Sequence, residues 1–207
     1  MTARDEILAR LGRGGEMPDL QPFQRDYPDL AAQFSAALNV SGGEVRWAAS
    51  KAEAAAQLAG LLAELGAETA AAHRAELADI PGIPERFPAQ TWAFAEDGAD
   101  YRAFCARADV GISGAEAALA ETGSLALVSG SGTARMTSLL PPVHIVLLPE
   151  SRIAASLFEW VGQRPTPMPA NLVLVSGPSK TADIEQTLIV GVHGPKRLVV
   201  IVYRDYS

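Results

Sequence analysis

Short, continuously apolar segments alternate along this chain with helix-forming and turn-forming segments, and this alternation constrains the fold most strongly. Runs rich in valine, isoleucine and leucine lie at 124–128, 143–148, 171–175 and 197–203. A strand that is apolar on both faces must be covered on both faces, as in the parallel sheets of α/β proteins. The sequence therefore predicts a single α/β domain with a largely parallel sheet flanked by helices.

The first half of the chain extends this pattern. A helix is expected over about 28–38, and a short strand at 45–47 precedes an alanine-rich helix. Ser50 is placed to cap the start of that helix and Gly66 to end it. A further short strand is expected at 91–94.

The amino-terminal residues are expected to form a separate segment. Residues 3–11 have the apolar spacing of an amphipathic helix, and residues 16–30 contain three prolines, which is typical of an irregular connector. We therefore divide the chain into a helical arm with its connector, 1–40, and an α/β domain, 41–207.

Cysteine content and charge exclude several classes of protein. The one cysteine, Cys105, cannot form an internal disulfide, and no Cys/His cluster has the spacing of a zinc or iron–sulfur site. We therefore expect no metal or other cofactor in this chain. Acidic residues outnumber basic ones by 24 to 17, and the resulting net charge of −7 disfavours nucleic acid as a partner.

Hydropathy predicts the cellular setting. No apolar run reaches the roughly 18 residues of a membrane span, and the amino terminus does not have the pattern of an export signal. A cytoplasmic location without a membrane span is therefore expected. Assembly into a homo-oligomer stays open at this stage.

The segment 111–135 is the first candidate for chemistry. It is expected to form a helix near 114–121, a strand and then a glycine/serine loop that leads to Arg135. Glu116 and Glu121 lie five residues apart, about 140° around a helix, so they do not form an acid–base pair. Glu121 stands at a helix-to-strand turn and can point across the strand ends, or it is a solvated residue of the last helical turn. Arg135 can bind a carboxylate or phosphate, or pair with an acid of the protein.

The segment 171–185 is the second candidate. It consists of an apolar strand, a turn of small and polar residues, and an expected helix start. The unpaired N–H groups and positive dipole end of a helix N-terminus suit an anion. Alternatively, the same side chains only cap the helix and favour its dipole. The residues concerned are Ser179, Lys180, Thr181, Asp183 and Glu185.

The third candidate is His193, which lies in a glycine-flanked loop. A loop histidine titrates near neutral pH and can serve as an acid, a base or an anion donor. His144 opens an apolar strand instead and is expected to be a hydrogen-bonded residue of the core or its rim.

Two topologies remain open for the loops 176–181 and 191–195. A crossover helix over 182–189 would place them at opposite edges of the sheet, where they could not share a site. If residues 187–192 instead form a strand in an antiparallel hairpin with 197–203, His193 marks the turn, and its distance from Asp183 depends on how that hairpin packs.

Four segments of the chain, in this order, carry a family resemblance: GAEAALAETGSLAL, LLPPVHIVLLPE, SGPSKTADIEQTL and GVHGP. They resemble the lactate-utilisation protein C family, whose module is called the LUD domain, and the resemblance spans essentially the whole chain. It implies a fold similar to the ribose-5-phosphate isomerase and CoA-transferase-like α/β domains. It also implies a role in the oxidation of L-lactate to pyruvate, as the cluster-free component beside two iron–sulfur partner proteins.

An anion-binding pocket for a small metabolite is expected within this framework. Glu121, Asp183 and His193 are its candidate proton-transfer groups. CoA-transferases of the wider fold group place a nucleophilic glutamate near a strand end, and Glu121 is similar, which would imply an acyl anhydride intermediate. Two alternative functions therefore stay open. The protein is an acyl-transfer or phosphosugar-handling enzyme, or it is a non-catalytic ligand-sensing module. The expected binding residues are Thr122, Gly123, Arg135, Ser179, Lys180, Thr181 and Glu185.

Overall fold

The computed structural model describes residues 3–10, 25–74, 77, 80, 83, 87–98, 100–130, 132–163, 169, 171–182 and 188–206, and all structural statements refer to these residues. The helices are α1 (Ala3–Arg10), α2 (Leu30–Val40), α3 (Lys51–Leu65), α4 (Tyr101–Cys105), α5 (Met136–Leu139) and α6 (Leu157–Gln163). The strands are β1 (Glu44–Ala48), β2 (Thr69–Ala72), β3 (Thr91–Phe94), β4 (Val110–Gly114), β5 (Ala117–Leu119), β6 (Ser124–Val128), β7 (Val143–Pro149), β8 (Ile153–Ala154), β9 (Leu172–Val175), β10 (Lys180–Ala182), β11 (Leu188–Val190) and β12 (Arg197–Tyr203).

A six-stranded sheet in the order β1-β12-β7-β4-β2-β3 forms the centre of the fold. Every neighbouring pair in it is parallel. The expected α/β fold with a largely parallel sheet is thus confirmed. Ser50 caps α3 by accepting a hydrogen bond from the Glu53 amide, and Gly66 ends the helix in the left-handed conformation, as the sequence predicted.

Both faces of this sheet are covered, and the strand residues alternate between them. On the first face, Val110, Ile112, Ile145 and Leu147 belong to one core cluster with the leucines of α3. The neighbouring strand positions point to the opposite face, as the period of two in a strand requires. The strands of the central sheet that lie in apolar runs of the sequence are therefore buried on both faces.

The second face packs against α2 and a smaller sheet in the order β8-β5-β6-β9. Phe34 and Leu38 of α2 are completely buried between Val146 and Val200 of the central sheet and Leu125 of the smaller one. The sequence-based division assigned α2 to the arm, whereas these contacts place it in the core of the α/β body. None of the helices in the described part of the chain is long and apolar enough to cross a membrane.

One predicted helix is wrong, and a strand stands where a second helix was expected to begin. Residues 117–119 form β5, which pairs with β6 and β8, because small buried alanines allow this strand to lie in the interior between other elements. Residues 180–182 form β10, which pairs antiparallel with β11, so no helix begins at Thr181. In both cases strand pairing overrides the local preference of the residues.

Gly111 of β4 allows α5 to approach the sheet closely. A Cβ atom at this position would lie 1.9 Å from the carbonyl oxygen of Thr137 and 3.1 Å from Cγ of Pro141. Because the nearest atom belongs to the backbone, relief of this clash requires α5 to move.

We expect Gly111→Ala to lower the free energy of unfolding by more than about 2 kcal/mol through this clash. Gly60→Ala is the matched control, because Gly60 lies in α3 with no atom within 4 Å of an added Cβ. The control should gain about 0.5–1 kcal/mol from better helix propensity. Urea unfolding of both variants measures the difference, and equal stabilities would contradict the close packing of α5 on β4.

Candidate functional site

A cleft of about 390 Å³ opens at the carboxyl edge of the central sheet. β2 and β4 are neighbours there, but the chain continues from β2 to β3 on one side and from β4 towards β7 on the other. Ligands of open α/β sheets bind at such a switch point, outside the carboxyl ends of the strands. The cleft is lined by His73, Ser113, Gly114, Glu116, Leu127, Val128, Ser129, Thr133, Ala134, Arg135, Ser138 and Arg152.

Two arginines and one glutamate set the formal charge of this lining. Arg152 donates a hydrogen bond to the carbonyl of Ala115 at 2.9 Å, which holds its side chain against the end of β4. Arg135 is exposed at the cleft, and its guanidinium group forms no hydrogen bond or ion pair with another residue of the described ranges. Its guanidinium group is therefore available to a ligand.

Ser113 and His144 form a buried pair on the second face of the sheet. Nε2 of His144 lies 2.9 Å from Oγ of Ser113, and Ser113 lines the cleft. Burial lowers the pKa of His144 to about 3, and the nearby His73 adds to this effect. The imidazole is thus neutral at physiological pH. The expectation of a hydrogen-bonded core histidine is confirmed.

His73 connects the end of β2 with the segment that carries Arg135. Its Nε2 lies 3.1 Å from the carbonyl oxygen of Ala134 and 2.8 Å from Oγ1 of Thr137. The hydroxyl group of Tyr101 lies 2.6 Å from the same Thr137 oxygen and donates to the carbonyl of Ala72. Burial lowers the pKa of His73 and raises that of Tyr101, so both side chains stay neutral. This network holds the carbonyl of Ala134 in place and thereby positions the adjacent residue Arg135.

The loops whose relative position stayed open in the sequence are neighbours. The amide of Gly191 donates to the Ser179 carbonyl, and the amide of Ser179 donates to the Pro195 carbonyl, each at 2.8 Å. Ser179 and His193 line a second cavity, of about 260 Å³, together with His144. His144 therefore lies between this cavity and Ser113 of the cleft.

The anion site expected at residues 179–181 has a different structure from the predicted one. The amide of Ser179 is engaged with a protein carbonyl, and Thr181 pairs with Ile189 within the β10–β11 hairpin. Nζ of Lys180 donates to the carbonyl of Ser41 at 2.6 Å, at the carboxyl end of α2, where a cation is favoured by the helix dipole. The structure differs from the prediction because residues 180–182 pair with β11, and strand pairing uses backbone N–H groups that a helix start would leave free. Asp183 and Glu185 lie outside the described residues.

Glu121, Thr122 and Gly123 form the turn between β5 and β6 and do not line the cleft. The amide of Glu121 donates to the Ala155 carbonyl. Gly123 has a φ of +65°, and a Cβ on it would lie 2.3 Å from the backbone nitrogen of Leu38. Its absent side chain therefore serves packing against α2. Of the expected site residues that the structure describes, only Arg135 lines the cleft, and Ser179 and His193 line the second cavity.

Sequence reasoning missed His73, Ser113 and Arg152 and set Glu116 aside. One signal was present for His73, because it follows directly on the small buried strand β2, at the edge where ligands bind. Ser113 lies within β4, and its hydrogen-bond partner His144 is 31 residues away in the sequence. No local pattern indicates such a contact.

Comparison with known proteins places the chain in a family. A family model described as the LUD domain matches residues 31–203. An uncharacterized protein of Neisseria meningitidis is 32% identical over 97% of this chain and 93% of its own length. An uncharacterized protein of Escherichia coli K12 is 33% identical over 88% of this chain and 81% of its own length.

Proteins named lactate utilization protein C match a shorter part. The one from Halalkalibacterium halodurans is 40% identical over 48% of this chain and 46% of its own length. The chain thus aligns with about half the length of this relative. Among solved structures, a DUF162 family protein from Deinococcus radiodurans is similar with a TM-score of 0.54 and 24% identity, over 84% of this chain and 96% of that one. This likeness supports the fold.

The buried neutral His144 makes stability depend on pH. The unfolded chain takes up a proton near pH 6.5 that the folded chain excludes down to about pH 3, so the stability this group contributes is lost as the pH falls through that window. We expect His144→Gln to reduce the slope of unfolding free energy against pH between 4.5 and 6 by up to about 1.4 kcal/mol per pH unit.

Urea unfolding at several pH values measures this slope. His193→Gln makes the same replacement at an exposed position and is the matched control. A wild-type slope in the His144 variant would show that the imidazole is not held neutral.

Proposed function

Because the chain belongs to the LUD domain family, we propose that it acts in lactate utilisation and that its cleft binds a small carboxylate such as L-lactate or pyruvate. Relatives named lactate utilization protein C support the pathway, although they match only about half of the chain. The position of the cleft at the carboxyl edge of a parallel sheet supports its use as a ligand site.

The exposed guanidinium group of Arg135 is the observation that carries the choice of ligand. It reaches the cleft, and none of the described residues neutralises it. Guanidinium binds carboxylates through two parallel N–H donors, which gives both charge neutralisation and orientation. A monocarboxylate bound there places its C2 substituent towards the interior of the cleft.

The interior of the cleft is polar but contains no further cation besides Arg152 among its described lining residues. His73 is neutral because burial lowers its pKa, and Ser113, Ser129 and Thr133 present hydroxyl groups. These groups suit a short ligand with a hydroxyl or carbonyl next to its carboxylate. The carboxylate of Glu116 is the group in the lining that can exchange a proton with such a ligand.

We place the electron-carrying centres of lactate oxidation in iron–sulfur partner proteins. Iron–sulfur clusters are commonly held by four cysteines, whereas this chain has one. That residue, Cys105, is buried in a cluster with Tyr101 and Ala71, on the side of the sheet that α4 covers. On this proposal the chain binds the organic anion, and its partners accept the electrons.

We expect Arg135→Gln to weaken binding of L-lactate and of pyruvate by about tenfold or more, because a charge-assisted hydrogen bond is lost. Arg107→Gln removes the same charge from an exposed position just before β4, at the opposite edge of the sheet. It should bind both anions like the wild type. Titration calorimetry at low ionic strength measures the affinities. Unchanged affinity in the Arg135 variant, or no binding by the wild type, would refute the proposed site.

Growth tests the pathway separately from the site. A strain that lacks this protein should fail to grow on L-lactate as the only carbon source and should grow normally on pyruvate, because only the oxidation of lactate is missing. A plasmid copy of the wild-type chain should restore growth, and the Arg107 variant should do so as well. Normal growth of the deletion strain on L-lactate would argue against a role in lactate utilisation.

A further inference from the structure

The hydroxyl group of Ser113 has two partners inside the protein. Oγ lies 2.9 Å from Nε2 of His144 and 3.0 Å from the carbonyl oxygen of Gly114. The side chain is nearly inaccessible to solvent and yet lines the cleft. A serine hydroxyl has one hydrogen to donate and two lone pairs that accept.

The Ser113 hydroxyl hydrogen can point to either of these two partners, and both lie inside the protein. If Ser113 donates to Nε2 of His144, the hydrogen points to the imidazole. If His144 donates through Nε2 instead, the Ser113 hydrogen points to the carbonyl of Gly114, which can only accept. In either case Oγ has a lone pair left for the cleft and no hydrogen.

The geometry points to Ser113 as a specificity-determining hydrogen-bond acceptor, which selects ligands that carry a hydroxyl group beside the carboxylate over their oxo counterparts. This inference rests on the proposed function and refines it: the preferred ligand is a 2-hydroxy acid. His144 is a positioning residue, because it acts on the ligand only through Ser113.

An oxo ligand is disfavoured for a definite reason. Its carbonyl oxygen accepts hydrogen bonds and cannot donate, so it faces the lone pair of Ser113. To bind it, Ser113 must turn its hydrogen into the cleft and leave Nε2 of His144 or the carbonyl of Gly114 without this partner. A buried polar group that loses its partner lowers affinity by about tenfold or more.

Three ligands of nearly equal size test this in the wild-type protein. L-Lactate carries a C2 hydroxyl, pyruvate carries a C2 carbonyl, and propionate carries no oxygen at C2. We expect calorimetry to show that L-lactate binds most tightly, with an affinity about tenfold higher than that of pyruvate. Propionate should bind at least as tightly as pyruvate. Pyruvate binding more tightly than propionate would show that Ser113 donates and would overturn the inference.

A variant tests the residue itself. Ser113→Ala should lose the preference for L-lactate over pyruvate, because the acceptor is gone. Ser124→Ala is the matched control: Ser124 is also buried, and its hydroxyl contacts those of Thr122 and Ser176 outside the cleft. It should keep the wild-type preference.

The outcomes separate the two proposals. If the wild type binds none of the three anions, the proposed cleft ligand is wrong. If it binds L-lactate and pyruvate equally, or if Ser113→Ala keeps the preference, the proposed function stands and the inference about Ser113 is refuted. Thermal unfolding shows whether the variants are folded, and the comparison of three ligands in the wild type does not depend on them.

Discussion

Burial of the central sheet on both faces is the constraint on which the site depends. The buried strand residues pack against α3 on one face or against α2, α4, α5 and the smaller sheet on the other. Where polar side chains occur on the second face, they must pair with one another, as Ser113 and His144 do. Gly111 lies on the same face and lets α5 come close enough to form one wall of the cleft. The packing of the central sheet therefore also forms the cleft.

The same burial determines the charge of the cleft. Desolvation lowers the pKa of His73 and His144, so both imidazoles are neutral and act as hydrogen-bonding groups. The exposed positive charge at the cleft comes from Arg135, and the contact of His73 with the Ala134 carbonyl helps to hold this segment in place. Arg152 and Glu116 carry the other formal charges of the lining. An exposed guanidinium beside neutral hydrogen-bonding groups suits a small monocarboxylate, with its charge at the mouth and its remaining polar group inside.

Much of the fold could be predicted from local patterns, and much less of the site. The strands at 124–128 and 197–203 agree with the structure to the residue, because long apolar runs leave few alternatives. Residues 117–119 were expected in a helix, since alanine and glutamate favour one, but pairing with β6 and β8 decides their conformation. Arg135 was identified because an arginine after a glycine/serine loop is a local signal. The helix start expected next to Lys180 is a strand instead, and the ammonium group of Lys180 contacts Ser41, 139 residues earlier in the sequence.

The sequence by itself determined the class of fold and the residue types that the site could use. Apolar runs, helix caps and turn residues act over a few positions, and they specify strands and helices wherever no long-range partner competes. Only the tertiary structure decided which polar side chains meet. The neighbouring order of β2, β4 and β7 brings His73 and Ser113 to the carboxyl edge of the sheet and His144 next to Ser113, and strand order depends on long-range packing. A cleft built from ends of separate strands therefore has no signature in any single segment.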